Sequence, residues 1–296
     1  MITTVIGSYP ISIDTMDLMK QYFNGEEISW KPYIREAVED MVKAGIKLVS
    51  DGQTRDPFTN IFLRKLRGCR VRDRVEVVDE ISYVEPITLE DIVYAKSLLP
   101  EGYKILGLIV GPHTLSEYVI DSYYNDKKEL AFAFAEAMRE EAMVLQDIVD
   151  MISIDEPFLS TSYPSYAREL IESITRNIRI PTRMHVCGDV SSIAPEIIDM
   201  PVDVLSHEFK ATPKLFDIFK EYPSKIGFCI GSVRADNPRA ETVDEIVEHI
   251  EKAISIFGDN IKQIAPDCGL RYLPRENAFQ KLRNLVTATE VVYGRE

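Results

Sequence analysis

His185 and Cys187 stand two positions apart in the stretch MHVCGDV (184–190), at the end of an apolar run. Residues two apart in a strand face the same side, so an imidazole and a thiol would lie next to each other. A second thiol, Cys268, sits in PDCG, and the pair His207 and Glu208 closes the run VDVLSHEF. Zinc favours tetrahedral sets of cysteine sulfur, histidine nitrogen and carboxylate oxygen, which makes His185, Cys187, Glu208 and Cys268 the candidate metal ligands. His207 competes with Glu208, because adjacent strand residues point opposite ways and spacing leaves the phase open. Taken singly, each cysteine or histidine is read more simply as core. That reading holds for Cys229, inside FCIG, and for Cys69; for HxC at one strand end with DCG at another, the grouping carries the metal reading. Two thiolates and a carboxylate around a divalent ion would make a thiol substrate more nucleophilic, provided it can enter by displacing a ligand or a water.

Two further features bear on a substrate. Asp155 and Glu156 follow the run ISI, where one carboxylate can take an amine while the other braces a loop or caps the next helix. Ile6, Gly7 and Ser8 close the first apolar run with backbone N–H groups that suit a carboxylate. An amine site, a carboxylate site and a thiol-accepting metal together describe a thiol-bearing amino acid.

Such residues need elements to bring them together. Eight β-rich runs recur along the chain, at 3–8, 46–52, 104–111, 150–157, 181–188, 202–209, 225–232 and 262–269. Amphipathic stretches such as KPYIREAVEDMVKAG and VDEIVEHIEKAISIF separate them, with apolar residues at three- and four-residue intervals. Eight such repeats in 296 residues predict a single α/β domain over 1–296, a (β/α)8 TIM barrel with its active site at the carboxyl ends of the strands. Residues 64–89 alternate like a two-stranded, hairpin-like excursion after strand two and are expected over one barrel mouth; residues 11–29 are expected as another long loop. In the barrel, the HxC, Glu208 and Cys268 elements fall at the ends of strands five, six and eight, which can converge on one point.

Composition narrows the function classes. A hydrophobic content of 45% suffices for a large core, and a formal net charge of −14 argues against nucleic acid or an anionic membrane as partner. The first residues, MITTVIGSYP, lack a basic segment followed by a long apolar one, and no later run has the length of a membrane span, so a cytoplasmic protein is expected. Four scattered cysteines in a chain this long predict reduced thiols. No GxGxxG or GxxxxGK[ST] pattern indicates a nucleotide cofactor.

Taken in order, TTVIGSYP, ISIDEP, MHVCGDV, DVLSHEF and APDCGL resemble the carboxyl-terminal catalytic barrel of cobalamin-independent methionine synthase, across nearly the whole chain. The resemblance implies a zinc-dependent methyltransferase acting on the thiol of L-homocysteine. It implies Zn2+ on His185, Cys187, Glu208 and Cys268, taking Glu208 over His207. It also implies that Ile6, Gly7 and Ser8 hold the homocysteine carboxylate and Asp155 its amine. Gln53 stands where the family often has a glutamate, leaving a weaker, neutral contact, and Gly188 is expected to leave room for the substrate chain. Folate-using members have a histidine in the loop after strand seven, thought to protonate the departing nitrogen; here that loop reads GSVRADNPRAET, with Asp236 as the nearest counterpart for a catalytic acid. A methyl-corrinoid, either methylcobalamin or a corrinoid protein, leaves without taking a proton. The chain therefore resembles the short, single-domain archaeal methionine synthases, with a methyl-corrinoid as expected donor. The alternatives are a methyl-tetrahydropterin or folate donor, another thiol such as coenzyme M as acceptor, and a non-enzymatic barrel with structural zinc.

Overall fold

In a computed structural model of the chain, the residues described are 1–13, 17, 18, 20, 21, 28–55, 58–72, 74–222 and 225–294. Eight strands form one sheet: β1 (Ile2–Thr3), β2 (Leu48–Val49), β3 (Lys104–Val110), β4 (Met151–Asp155), β5 (Thr182–His185), β6 (Val204–His207), β7 (Gly227–Val233) and β8 (Ile261–Pro266). They pair in the order β1-β8-β7-β6-β5-β4-β3-β2, every pair parallel. A parallel bridge from Thr4 to Leu48 joins the two ends and closes the expected (β/α)8 barrel.

Strands buried on both faces read as continuous apolar runs, as KILGLIV does in β3, where every residue after Lys104 is buried. Outside the strands lies the larger core, which includes Ile34, Met41, Phe134 and Leu282 from the surrounding helices. Inside the barrel a smaller apolar cluster holds Ile6, Leu48, Leu106, Leu108, Met151, Val204, Cys229 and Ala265. Local signals set the helix ends. Asp126 caps Lys127–Leu145 by accepting from the N–H groups of Lys128 and Glu129, and Thr242 with Glu245 forms a capping box on Val243–Phe257. Gly45, at φ 95°, ends Lys31–Ala44 in the left-handed region open to glycine.

The apolar runs outlast the strands themselves. Residues 50–53 and 186–188 continue the expected runs but leave the ladder, with Gly52 at φ 80°, Gln53 at φ 42° and Gly188 at φ 79°. These irregular carboxyl ends carry the candidate site.

The excursion is a hairpin of Arg67–Val71 and Val75–Ser82, preceded by the helix Phe58–Lys65 and extended by a third, parallel strand, Ile120–Asp121. It is tied to the outer helix Lys127–Leu145 rather than closing the barrel mouth that holds the site. The fully buried Glu141 carboxylate on that helix accepts from the N–H groups of Ile87 and Thr88, from Thr88 Oγ1 and from Tyr83 OH. Much of the loop expected over 11–29 lies outside the described residues. Among the described residues no helix is long and apolar enough to cross a membrane.

Candidate active site

At the carboxyl ends of the strands lies a cavity of about 390 Å³. Its lining includes the ten residues expected to hold the metal, bind substrate or supply an acid: Ile6, Gly7, Ser8, Gln53, Asp155, His185, Cys187, Glu208, Asp236 and Cys268. Pro157, Ala235, Gly269, Arg271 and Tyr272 complete it.

Alternation along β5 and its extension turns Arg183, His185 and Cys187 to one side, the barrel interior. His185 Nδ1 is 3.0 Å from Ser206 Oγ on the neighbouring β6, which leaves Nε2 facing Cys187 Sγ at 3.2 Å. Burial, then the charge of Arg183, hold the imidazole well below its usual pKa, so it is neutral, the form that ligates metals. Cys187 Sγ is also 3.0 Å from Cys268 Sγ, at the end of β8, and both cysteines are free. The hydrogen bond with Cys268, then burial, push the Cys187 thiol well above the ordinary range. A thiol that resists ionisation becomes a good ligand once a cation offsets the charge of its thiolate. Among the described residues, His185, Cys187 and Cys268 are the group whose ligand atoms all lie within 4.8 Å of one another. Two sulfurs and a neutral imidazole fit zinc.

Glu208 lines the same cavity but stands outside that trio. Its Oε1 accepts from the Gly188 N–H at 2.7 Å, and burial raises its pKa. Gly188 thus has a different role from the one expected. Its positive φ turns the amide toward Glu208, whereas an added Cβ would meet Ser160 Oγ at an ordinary 3.4 Å, and it does not line the cavity. His207 faces the other way, fully buried, its ring stacked on Phe219 at 5.4 Å. The phase that spacing left open at 207–208 therefore turns Glu208 to the cavity and His207 into a cluster with Phe209 and Phe219.

Residues 6–8 are pinned from several sides. Gly7 O accepts from Ser50 Oγ at 2.9 Å, and Ser8 O accepts from Leu270 N at 2.8 Å. A Cβ on Gly7 would come within 2.5 Å of Gln53 Oε1, so the Gln53 amide lies directly against this segment. Gln53 is itself fixed: its N–H donates to Asp51 Oδ1 and its carbonyl accepts from Arg271.

Asp155 ends β4 and is buried, with Oδ1 accepting from Ser153 Oγ at 3.0 Å. Burial raises its pKa to about 6, and the nearby Arg183 charge and the Ser153 hydroxyl oppose that rise. Glu156 has a structural role. Buried, it accepts from the N–H groups of His113 and Thr114 and from Thr114 Oγ1, bracing the preceding helix Pro112–Tyr118 rather than capping the one that follows. Asp236, the counterpart expected for a catalytic acid, lines the cavity paired with Arg234, which donates to both its carboxylate oxygens, at 2.8 and 2.6 Å, and holds its pKa below the usual range.

The sequence reading passed over several polar residues, among them Arg271 and Tyr272 in the cavity lining and the fully buried Arg183 in the barrel. The signal for Arg183 was available: a charge in mid-strand, two positions before His185, must face the same interior.

Comparison with known proteins bears on all of this. Residues 1–291 match the family described as "Cobalamin-independent synthase, Catalytic domain". The chain is 39% identical to the methionine synthase of Methanocaldococcus jannaschii, covering 99% of each chain. It is 37% identical to that of Methanothermobacter marburgensis, over 97% of this chain and 99% of the relative. The solved B12-independent methionine synthase of Shewanella sp. W3-18-1, in complex with selenomethionine, superposes with a TM-score of 0.83 at 21% identity, covering 98% of this chain and 97% of the other, which bears on the fold alone. The family description specifies independence of cobalamin, so it lends no support to the corrinoid donor expected from the loop after β7.

Proposed function

We propose, from the premise that the chain belongs to the cobalamin-independent synthase catalytic-domain family and is a methyltransferase of the methionine synthase type, that it methylates the thiol of L-homocysteine to L-methionine. Zinc would be held by His185, Cys187 and Cys268, with Glu208 as the fourth protein ligand. The observation that carries the reading is the meeting of two free thiols and a neutral imidazole in one cavity with a buried carboxylate and the backbone of residues 6–8.

Zinc would supply a positive centre that lowers the pKa of a thiol from its ordinary value near 8.5. The chain's own residues bind and aim. Asp155 takes the substrate ammonium, the N–H groups of residues 6–8 take the carboxylate, and the side chain between them points its sulfur at Cys187 and Cys268. The substrate sulfur then attacks the methyl carbon in line: the S–C bond forms as the donor–methyl bond breaks, the donor keeping that electron pair. The thiol proton passes to solvent water before attack, so the sulfur meets the methyl carbon as a thiolate. Ser206 holds His185 by Nδ1, which leaves Nε2 toward the sulfurs.

A methyl-tetrahydropterin is the donor class consistent with cobalamin independence. The Arg234–Asp236 pair favours a second reading, a methyl-corrinoid, because a pterin nitrogen leaves only when protonated and Asp236 is held ionised. One assay tests function and donor together: purified zinc-loaded protein with L-homocysteine, offered a methyl-tetrahydropterin or methylcobalamin in parallel. Methionine from either donor supports the reaction and identifies the donor class; methionine from neither, with coenzyme M methylated instead, overturns homocysteine as acceptor.

A further inference from the structure

A guanidinium inside a barrel is costly. Moving such a charge from water into a protein interior carries a penalty of several kcal/mol unless its donors are satisfied, and barrel interiors are usually filled by branched apolar side chains. Arg183 is fully buried on β5 and spends its donors on Ser153, on the backbone of Val5 and Ile6, and on Gln263.

The first branch leads to Asp155. Arg183 Nε donates to Ser153 Oγ at 3.1 Å, and Ser153 Oγ donates to Asp155 Oδ1 at 3.0 Å. A serine hydroxyl has one proton, so accepting from the arginine directs that proton to the aspartate. The second branch leads to the backbone before Gly7. Arg183 Nη2 donates to Val5 O at 3.1 Å and to Ile6 O at 3.3 Å, while Nη1 donates to Gln263 Oε1 at 3.1 Å and anchors the group from β8. In a trans peptide the N–H points opposite the C=O. Holding the Val5 and Ile6 carbonyls toward Arg183 turns the N–H groups of Ile6 and Gly7 away from it.

We propose that Arg183 is a positioning residue that sets both ends of the amino-acid subsite, orienting Asp155 through Ser153 for the substrate ammonium and orienting the N–H groups of Ile6 and Gly7 for its carboxylate. It touches no substrate itself. The proposal rests on the homocysteine reading above and adds a specific dependence: the two branches act on different groups of the ligand. Ser153 serves only the ammonium; Arg183 serves both.

The test measures binding of L-homocysteine and of 4-sulfanylbutanoate, the same thiol acid without the amino group, to the zinc-loaded wild type, to Ser153→Ala and to Arg183→Met. Ser153→Ala should weaken homocysteine about tenfold, the scale of one hydrogen bond to a charged group, and leave the deaminated thiol within about twofold. Arg183→Met should weaken both ligands, and Arg183→Lys should recover part of the loss. Kinetically, Ser153→Ala should raise KM for homocysteine with kcat little changed. If Ser153→Ala weakens both ligands alike, its role is general support of the barrel and the proposal falls; if it weakens neither, the relay to Asp155 falls. Because Ser153→Ala deletes one oxygen, the test stands even where Arg183→Met fails to fold. A wild type that binds the deaminated thiol as tightly as homocysteine would instead overturn the ammonium site at Asp155, and with it the reading beneath.

Discussion

The sulfurs of Cys187 and Cys268 lie 3.0 Å apart with no bond between them, although 81 positions separate the two residues in the chain. They follow β5 and β8, which are not neighbours in the sheet. Closure of the barrel brings them together.

That juxtaposition makes Cys268→Ser informative. Replacing one of the three clustered groups should lower zinc affinity by more than ~10-fold, the loss already typical when only an outer partner of a metal ligand is removed. Cys69→Ser, on the hairpin strand Arg67–Val71, should keep zinc. Metal content after dialysis against a chelator separates the two, with circular dichroism to verify that both fold. Wild-type zinc affinity in Cys268→Ser would remove the metal assignment.

Asp236→Asn tests the acid role directly. A general acid contributes roughly 10²- to 10⁴-fold to a rate. With Arg234 holding the carboxylate ionised, the substitution should lower kcat by less than about tenfold. A loss of a hundredfold or more with a pterin donor would restore Asp236 as the proton source.

Gly188→Ala should destabilise the protein by roughly 1–2 kcal/mol, the cost of placing an L side chain in the left-handed region. It should also misdirect the amide that Glu208 accepts. Denaturant midpoints measure the loss, and Gly188→Asn, better tolerated there, should recover part of it. Full stability in Gly188→Ala would show that the φ of 79° is not required.

The barrel was legible in the sequence because parallel strands buried on both faces leave apolar runs. The residues that gather at the cavity were legible as polar groups at the ends of those runs, as at Asp155, His185 and Cys268. The choice between His207 and Glu208 was not legible from spacing, because it depends on phenylalanines brought from elsewhere in the chain; Phe219, twelve positions on, is the ring His207 stacks against. The third strand of the excursion, Ile120–Asp121, is two residues long and carries no alternation to detect. The inward direction of Arg183 was legible from its spacing to His185, but its partners were not, because Val5, Ser153 and Gln263 meet it only inside the closed barrel.

Acid stability has one traceable contribution away from the site. The ion pair with Arg239, then the Thr242 N–H, lower the Glu245 carboxyl from its ordinary 4.5 to about 2. A depressed carboxylate pKa stabilises the fold above the unfolded value and loses that stabilisation as pH falls from about 4.5 to about 2. Glu245→Gln should therefore lower Tm at pH 6, and the gap to wild type should narrow as pH is lowered through that window. A gap independent of pH would contradict the pairing.

The central claim is that homocysteine delivers its sulfur to a metal held by His185, Cys187 and Cys268. Zinc X-ray absorption on the loaded protein, recorded without and with L-homocysteine, tests it most directly. Homocysteine should add one sulfur to the zinc coordination shell, and the addition should be weakened in Asp155→Asn, which still carries the metal. An unchanged sulfur count with saturating homocysteine would rule out delivery of the substrate sulfur to the metal and leave the metal a structural one.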